Sequence, residues 1–329
     1  MNLDFLQGKT ILITGGTGSF GSNFVKYLLN NSAAKKIIIF SRDELKQFHL
    51  SQALGSDERL RFFLGDVRNL KRLQRAFHGV DIVIHAAALK QVPTLEYNPF
   101  EAVETNILGS QNVIDAAIDQ GVKKVILIST DKAVQPVNLY GSTKLCAEKL
   151  FISGNSYAAS RTIFSCVRYG NVIGSRGSII ETLLKNKNKN QVVITDPRMT
   201  RFWITLDQSF KLVLFALREM EGGEIFTPKI PSMKMADLFH ALAPQAEKKI
   251  IGIRPGEKIH EVLISEEEVR HAVEFGDYYI ILSVFPFFAA NVYTKYFQSG
   301  VKLPDGFRYT SDTNQDWLTP EQLKKIIKL

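Results

Sequence analysis

Apolar residues follow two rhythms along this chain. Short runs rich in Ile, Val and Phe, at residues 10–14, 36–40, 61–64, 81–85, 124–129 and 162–167, carry little polar interruption, as strands buried on both faces of a parallel sheet do. Between them the apolar positions recur at helical spacing, most clearly over 99–120 and 139–153. Strand and helix alternate through the first half, and crossovers between parallel strands are right-handed. The pattern therefore predicts an α/β fold with a doubly wound parallel sheet of the Rossmann type. After about residue 170 the rhythm breaks into a Gly-rich loop, a Lys/Asn-rich patch at 185–190, a helix-like segment at 206–220, and turn signals at Gly222, Gly223, Pro228, Pro231, Pro255 and Gly256. That predicts a dinucleotide-binding unit over 1–170 and a smaller α/β lobe for the substrate over 171–329, with 202–222 packing back on the first unit.

Composition narrows the class. The chain has 329 residues, 45% hydrophobic and 22% charged, an ordinary core-forming mixture that excludes disorder, collagen and coiled coil. Its net charge of +8 could attract an anion. No basic stripe interleaves with aromatics, so no nucleic-acid partner is expected. Cys146 and Cys166 sit in apolar segments and read as inert buried thiols, with no disulfide framework and no metal site. The opening residues lack the pattern of a signal peptide, and the apolar stretch at 278–293 is broken by Ser283, Pro286 and Asn291 and is too short for a bilayer. A cytoplasmic protein without a membrane partner is expected.

Directly after the first strand comes Thr14-Gly15-Gly16-Thr17-Gly18-Ser19-Phe20-Gly21, which opens a helix. Glycines at this junction permit a tight turn and close backbone approach to a pyrophosphate, and the helix N-terminus offers open N–H groups to it. Ser and Asn rather than Lys follow Gly21, which rules out a Walker-type loop. The second strand ends in Ser41-Arg42, where an NAD site would place an acid for the ribose hydroxyls. A hydroxyl and a guanidinium suit a 2′-phosphate, so NADP is the expected cofactor; the alternative is that Arg42 merely pairs with Asp43 or Glu44. Asp66-Val67 stands where adenine could be read, or Asp66 caps a helix. Ala86 and Ala87 supply small side chains near the ligand path.

The fifth strand ends in Ser129-Thr130-Asp131-Lys132, and the next helix carries Tyr140 and Lys144, four apart and so on one face. A Lys144 cation beside an oxidised nicotinamide is expected to lower the Tyr140 phenol from its usual ~10, so that Tyr140 removes a proton from an alcohol while Thr130 hydrogen-bonds the same oxygen.

These two motifs resemble those of the extended short-chain dehydrogenase/reductases. More specific strings are Ser41-Arg42-Asp43-Glu44, Ala87-Ala88-Leu89-Lys90, Ser129-Thr130-Asp131-Lys132, Asn138-Leu139-Tyr140-Gly141, Arg168-Tyr169-Gly170-Asn171-Val172 and Ile253-Arg254-Pro255-Gly256-Glu257-Lys258, with a closing Asn314-Gln315-Asp316-Trp317-Leu318. Together they are similar to the inverting UDP-N-acetylglucosamine 4,6-dehydratases, the first enzymes of pseudaminic acid synthesis. The resemblance implies UDP-N-acetylglucosamine as substrate, a recycled NADP, and a homo-oligomer built through the helices at 99–120 and 139–153. Oxidation at C4 acidifies the C5 proton, and the C6 hydroxyl then leaves as water, which requires a base and an acid beyond Tyr140. The expectation assigns Lys132 as C5 base and Asp131 as the acid at O6, with the swapped assignment open. Desolvation and the Lys144 charge would lower Lys132, and Asp131 would oppose this. The retaining relatives carry Asp-Glu at the two positions, so Lys132 is associated with inversion at C5. For the sugar nucleotide the resemblance points to Lys90 (facing substrate or cofactor), Asn171, Arg176-Gly177-Ser178, Thr195, Met199, Arg254 and Glu257. The alternatives are a 4-epimerase, a reductase or a retaining dehydratase on the same fold, and an idle NADP-binding protein. Residues 284–304 carry no motif.

Overall fold

In a computed structural model of the chain the described residues are 2–159, 161–185, 191–284 and 293–328; residues 186–190 of the Lys/Asn-rich patch and 285–292 lie outside them. The six predicted strands form as β1 (Thr10–Thr14), β2 (Lys36–Ser41), β3 (Leu60–Leu64), β4 (Ile82–His85), β5 (Lys124–Ile128) and β6 (Ile163–Val167). They run parallel in the order β3-β2-β1-β4-β5-β6. The order reverses between β1 and β4, and ligands of doubly wound sheets collect at the strand ends beside such a reversal. All five β1 residues are buried, as a strand covered on both faces requires.

The connecting helices are α1 (Ser19–Asn31), α2 (Glu44–Leu54), α3 (Leu70–Phe77), α4 (Val92–Tyr97), α5 (Pro99–Ala102), α6 (Gly109–Gln120) and α7 (Leu139–Tyr157). The single helix expected over 99–120 is instead α5, a π-helical stretch at Val103–Leu108, and α6. The wide turn lets Asn106 face inward. Its amide donates to Leu89 O (2.9 Å) and Thr143 Oγ1 (3.0 Å) and its oxygen accepts from Leu89 N (2.8 Å), tying the loop after β4 to α7.

The second half contributes β7 (Asn171–Val172), α8 (Ile179–Lys185), β8 (Gln191–Ile194), β9 (Thr200–Ile204), α9 (Leu206–Glu219) and β10 (Ile225–Pro228). A capping box of Thr205 and Gln208 starts α9. The Phe210 ring of α9 lies 5.6, 5.3 and 5.4 Å from those of Phe20, Phe24 and Tyr27 on α1. The sheet itself does not stop at residue 170. β10 adds in parallel to β6, and Tyr278–Ile281, Ala272–Phe275 and Val301–Lys302 follow antiparallel, to ten strands in all among the described residues. A separate apolar core gathers around Trp203, Met233, Leu238 and Phe239.

Fully buried Arg168, just past β6, joins the halves. It donates to both oxygens of Glu148 on α7 (3.1 and 2.7 Å), both oxygens of Glu268 (2.9 and 3.0 Å) and Leu263 O (2.9 Å). Cys166 is buried and Cys146 half-buried, both are free, and burial pushes both thiols up. Among the described residues no helix is long and apolar enough to cross a membrane.

Candidate active site

The glycine loop is locked by backbone contacts. Gly15 has φ +65°, and a Cβ there would stand 2.8 Å from Ala87 N and 2.9 Å from Ala86 O; at Gly21 it would meet Gly15 O at 2.6 Å. Gly18 caps α1 without any side-chain hydrogen bond, leaving the leading N–H groups open to an anion. Above the loop lies a cavity of about 520 Å³. Gly15, Thr17, Gly18, Ser41, Arg42, Val67, Ala86 and Ala87 line it as expected of them, and so do Lys46 and Thr105, which sequence reasoning missed. Thr105 sits on the π-helical stretch with its buried Oγ1 unpartnered, a hydroxyl that a ligand in the cavity can satisfy.

Several expected cofactor residues sit elsewhere. The Phe20 ring packs on Phe24 and Phe210. Ser19 Oγ accepts from Arg176 N at 3.0 Å. Arg42 pairs with neither Asp43 nor Glu44: its exposed guanidinium lies 3.6 Å from Asp66, while Asp43 caps α2 and pairs with Lys46 at 2.8 Å. Asp66 caps no helix, since Asn69 caps α3. Burial would raise the Asp66 carboxyl, and hydrogen bonds from Arg68, with the Arg42 charge, hold it below its ordinary value.

Asn138 starts α7 by accepting from Gly141 N at 2.8 Å, so Tyr140 falls in the first turn and Lys144 one turn on. A Cβ at Gly141 would stand 2.2 Å from Lys132 O, which is why the helix can press against the turn after β5. In that turn Thr130 Oγ1 donates to Asp131 Oδ1 at 2.9 Å, and Lys132 Nζ reaches Asp131 Oδ1 at 3.0 Å and Asn171 Oδ1 at 3.4 Å. Asp131 is fully buried and its Oδ2 has no partner.

Burial and neighbouring charges set the protons of the site. Burial pushes the Tyr140 phenol up to about 12, helped by Asp131 and opposed by the Lys132 charge and a hydrogen bond from Thr130; Lys144 is not among the groups that move it. Lys132 is raised: burial acts downward and Asp131 opposes it, both as expected, and with the unforeseen carboxylate of Glu261 the upward pull wins. Burial and the Glu261 charge raise Asp131 against the pull of Lys132. Lys144, 3% exposed, is brought down to about 8 by burial, with Glu148 pulling the other way.

Glu261 was not foreseen. Its Oε1 lies 3.4 Å from Lys132 Nζ and 3.5 Å from Arg201 Nε, and it arrives because the 254–261 segment folds over the turn after β5. Asn138 Nδ2 donates to Gly256 O at 2.8 Å and Lys258 Nζ to Val134 O. In that segment Arg254 is exposed, with a loose 3.9 Å pairing to Glu257; Glu257 lines a second cavity of about 670 Å³ with Lys258, His260 and Arg308. The other second-lobe residues scatter. Arg176 grips the glycine loop at Thr17 O and Ser19 Oγ, not a free substrate space. Gly177 N and Ser178 Oγ engage Glu181 at the start of α8. Buried Met199 takes a 3.0 Å contact from Thr195 Oγ1. Lys90 is lowered by burial and by the charges of Lys132 and Arg176, so three cations gather near one opening.

A doubly wound sheet with an uncapped glycine-loop helix, a Tyr-x-x-x-Lys helix and a proton-bearing turn between them defines a short-chain dehydrogenase/reductase fold. The chain belongs to the polysaccharide biosynthesis protein family, whose model matches residues 11–283. It is 52% identical, over 98% of both chains, to the UDP-N-acetylglucosamine 4,6-dehydratase (inverting) of Campylobacter jejuni subsp. jejuni serotype O:23/36 (strain 81-176). It is 44% identical to a UDP-glucose 4-epimerase of Rickettsia canadensis (strain McKiel), over 97% of this chain and 95% of that one. Among solved structures, Pen from Bacillus thuringiensis matches with a TM-score of 0.88 at 39% identity, covering 98% of each chain. The resemblance drawn from the motifs thus extends over nearly the whole chain.

Proposed function

We propose that the chain is a UDP-N-acetylglucosamine 4,6-dehydratase that inverts C5, a carbon–oxygen lyase giving UDP-2-acetamido-2,6-dideoxy-β-L-arabino-hex-4-ulose, the opening step toward pseudaminic acid. One observation carries this reading. Beside the alcohol-oxidising set of Thr130, Tyr140 and Lys144 stands a second proton-handling pair, buried Asp131 and partly exposed Lys132, 3.0 Å apart. A 4-epimerase has no elimination for such a pair to serve.

The loop backbone, the open α1 N-terminus and the unpartnered Thr105 hydroxyl fit a nicotinamide dinucleotide. When bound, it accepts hydride from C4 and returns it to C6, so none is consumed. Tyr140 takes the proton of the C4 hydroxyl while Thr130 holds that oxygen. With the phenol at about 12 the proton does not leave unaided at neutral pH; it needs added positive charge near Tyr140, which an oxidised ring supplies. For elimination, one proton shift from the Lys132 ammonium to the Asp131 carboxylate makes both groups that are needed. Neutral Lys132 then takes the C5 proton, and protonated Asp131 gives its proton to O6 as water departs; as C6 is reduced, a proton returned to C5 from the opposite face, balanced by the one Tyr140 took from O4, inverts that carbon. A sugar that excludes water favours this shift, since two neutral groups tolerate a dry site better than an ion pair. Lys90 and Arg254 are the proposed diphosphate contacts, with Asn171, Glu257 and the 195–199 segment about the sugar and uridine. The exposed Tyr97, Phe100 and Leu108 offer apolar area for a second copy, in keeping with a homo-oligomer.

The test is to incubate UDP-N-acetylglucosamine carrying deuterium at C4 with the protein and catalytic NADP. The product is expected to be lighter by one water and to carry the label in its methyl group. An unchanged mass with altered C4 configuration would reject the dehydratase in favour of an epimerase.

NADP rather than NAD rests on Arg42 and Lys46 at the lip of the cavity. Arg42→Ala is expected to weaken NADP about tenfold or more, since a charged hydrogen bond contributes ~1.5–3 kcal/mol, and to leave NAD nearly unchanged. Equal losses for both cofactors, measured by fluorescence titration, would remove the 2′-phosphate from the account.

A further inference from the structure

We propose that Glu261 is a positioning residue of the reaction, a carboxylate delivered from the second lobe that decides how the one mobile proton is shared between Asp131 and Lys132. The proposal rests on the dehydratase reading above.

Lys132 Nζ is clamped from two sides, by Asp131 Oδ1 at 3.0 Å and Glu261 Oε1 at 3.4 Å. Glu261 is 3% exposed and its backbone is fixed, its N–H donating to Ser311 Oγ at 2.9 Å and its carbonyl accepting from Ser311 N at 2.9 Å. Arg201 secures the preceding residues through Lys258 O (2.9 Å) and Ile259 O (3.0 Å). Such a pinned backbone holds the charge at a set distance from Lys132.

The two carboxylates differ in their other neighbours. Both carboxylates feel the charges of Lys132 and Lys258, but Glu261 has the Arg201 guanidinium beside it as well, at 3.5 Å. When Lys132 gives up its proton, Glu261 therefore stays ionised, and the proton goes to Asp131, whose own charge is further disfavoured by that of Glu261. One oxygen of each carboxylate, Asp131 Oδ2 and Glu261 Oε2, is buried without a partner. An ion pair kept only to join the lobes would be expected to satisfy both. Glu261 thus casts Asp131 as the acid at O6 and leaves Lys132 as the base at C5.

The charged and titratable groups acting on Lys132 are Asp131, Glu261 and Arg201; Lys90, Tyr140 and Lys258 feel its charge in turn. The sign of the test follows from them. A negative charge raises the proton affinity of both members of the pair, so Glu261→Gln, which keeps shape and removes charge, should move both limbs of the kcat–pH profile to lower pH by about one unit, with kcat near neutrality down about tenfold and KM for the UDP-sugar within about twofold. Glu261→Asp should bring both limbs back toward the wild type. Arg201→Gln removes an opposing cation and should move the limbs to higher pH, an independent check should Glu261→Gln fail to fold. All are measured on the full chain with NADP, following water loss and uptake of solvent deuterium at C5. Wild-type limbs in either folded variant, or a raised KM with an unmoved profile, would overturn the role of Glu261. A wild-type protein that releases no water would instead defeat the dehydratase reading itself.

Discussion

Lys132→Ala is expected to bind NADP and UDP-N-acetylglucosamine, reduce the cofactor on mixing, and release no water. In the proposed mechanism the oxidising residues differ from the eliminating pair, although the Lys132 charge eases the Tyr140 phenol, so the variant should oxidise C4 more slowly and then stall. Stalling would appear as a persistent near-ultraviolet band of reduced nicotinamide, with no uptake of deuterium from solvent at C5. Loss of a positioned proton-transfer group costs about 10²–10⁴-fold in rate, and the elimination should fall by that much. Fold loss is a smaller concern here: Lys132 is 27% exposed, and Asp131, already pushed up by burial and Glu261, can take a proton when its cation is gone. Lys132→Met keeps the buried stem and separates lost packing from lost chemistry. C5 exchange at the wild-type rate in either variant would remove Lys132 as the base. A variant that fails even to reduce the cofactor would mean that the two sets are one, against the division on which the mechanism rests.

Strands β1 to β6 were legible because each is a short apolar run with little polar interruption, which burial on both faces explains for β1 and β4, while the edge strand β3 keeps Arg61 and Leu64 exposed. The Tyr140 and Lys144 pair was legible because four-residue spacing is fixed by helix geometry. What escaped has a common cause. The π-helical stretch at Val103–Leu108 adds too little length to disturb a hydrophobic pattern, yet it turns Asn106 and Thr105 inward. Ala272–Phe275 and Tyr278–Ile281 are four residues each and half-buried at their turn ends, too short to separate from loop by pattern alone. Glu261 stands in a polar run immediately before the apolar Val262–Ile264, where a lone carboxylate carries no signal. Only the folding of 254–261 onto the 130–138 turn gives it meaning. The net proton affinity of Lys132 was not legible for the same reason: it depends on the Glu261 charge that the far lobe brings, and spacing along the chain says nothing of that. Of the cysteines, both expected to be buried from their apolar neighbours, Cys166 is and Cys146 is only half-buried.

Arg168→Ala should lower stability by about 3–5 kcal/mol, the usual consequence of leaving buried carboxylates without their cation. The residue is fully buried, as is Glu148, and five hydrogen-bond contacts of 2.7 to 3.1 Å join it to α7, to Leu263 and to Glu268. Arg168→Lys keeps a charge but not the planar fork, so it should recover part of the loss. The pH dependence has a definite sign. Burial would raise the Glu268 carboxyl, but Arg168 outweighs it and holds Glu268 below its ordinary value. A carboxyl depressed in the folded state stabilises above its unfolded pKa, about 4.3 for Glu, and loses that contribution as pH falls through the folded value. The gap between wild type and Arg168→Ala in urea unfolding should therefore be full at neutral pH and narrow in acid, where Glu268 takes up its proton. A loss below about 1 kcal/mol at neutral pH would mean that Lys144 and solvent satisfy Glu148 unaided. The same variant bears on catalysis: Glu148 also accepts from Ser129 Oγ at 2.6 Å, one residue before Thr130, and its charge raises the proton affinity of Lys144. Without Arg168 fixing Glu148, the proposed oxidising residues lose the support beneath them, so a folded Arg168→Ala should slow C4 oxidation as well as lower stability.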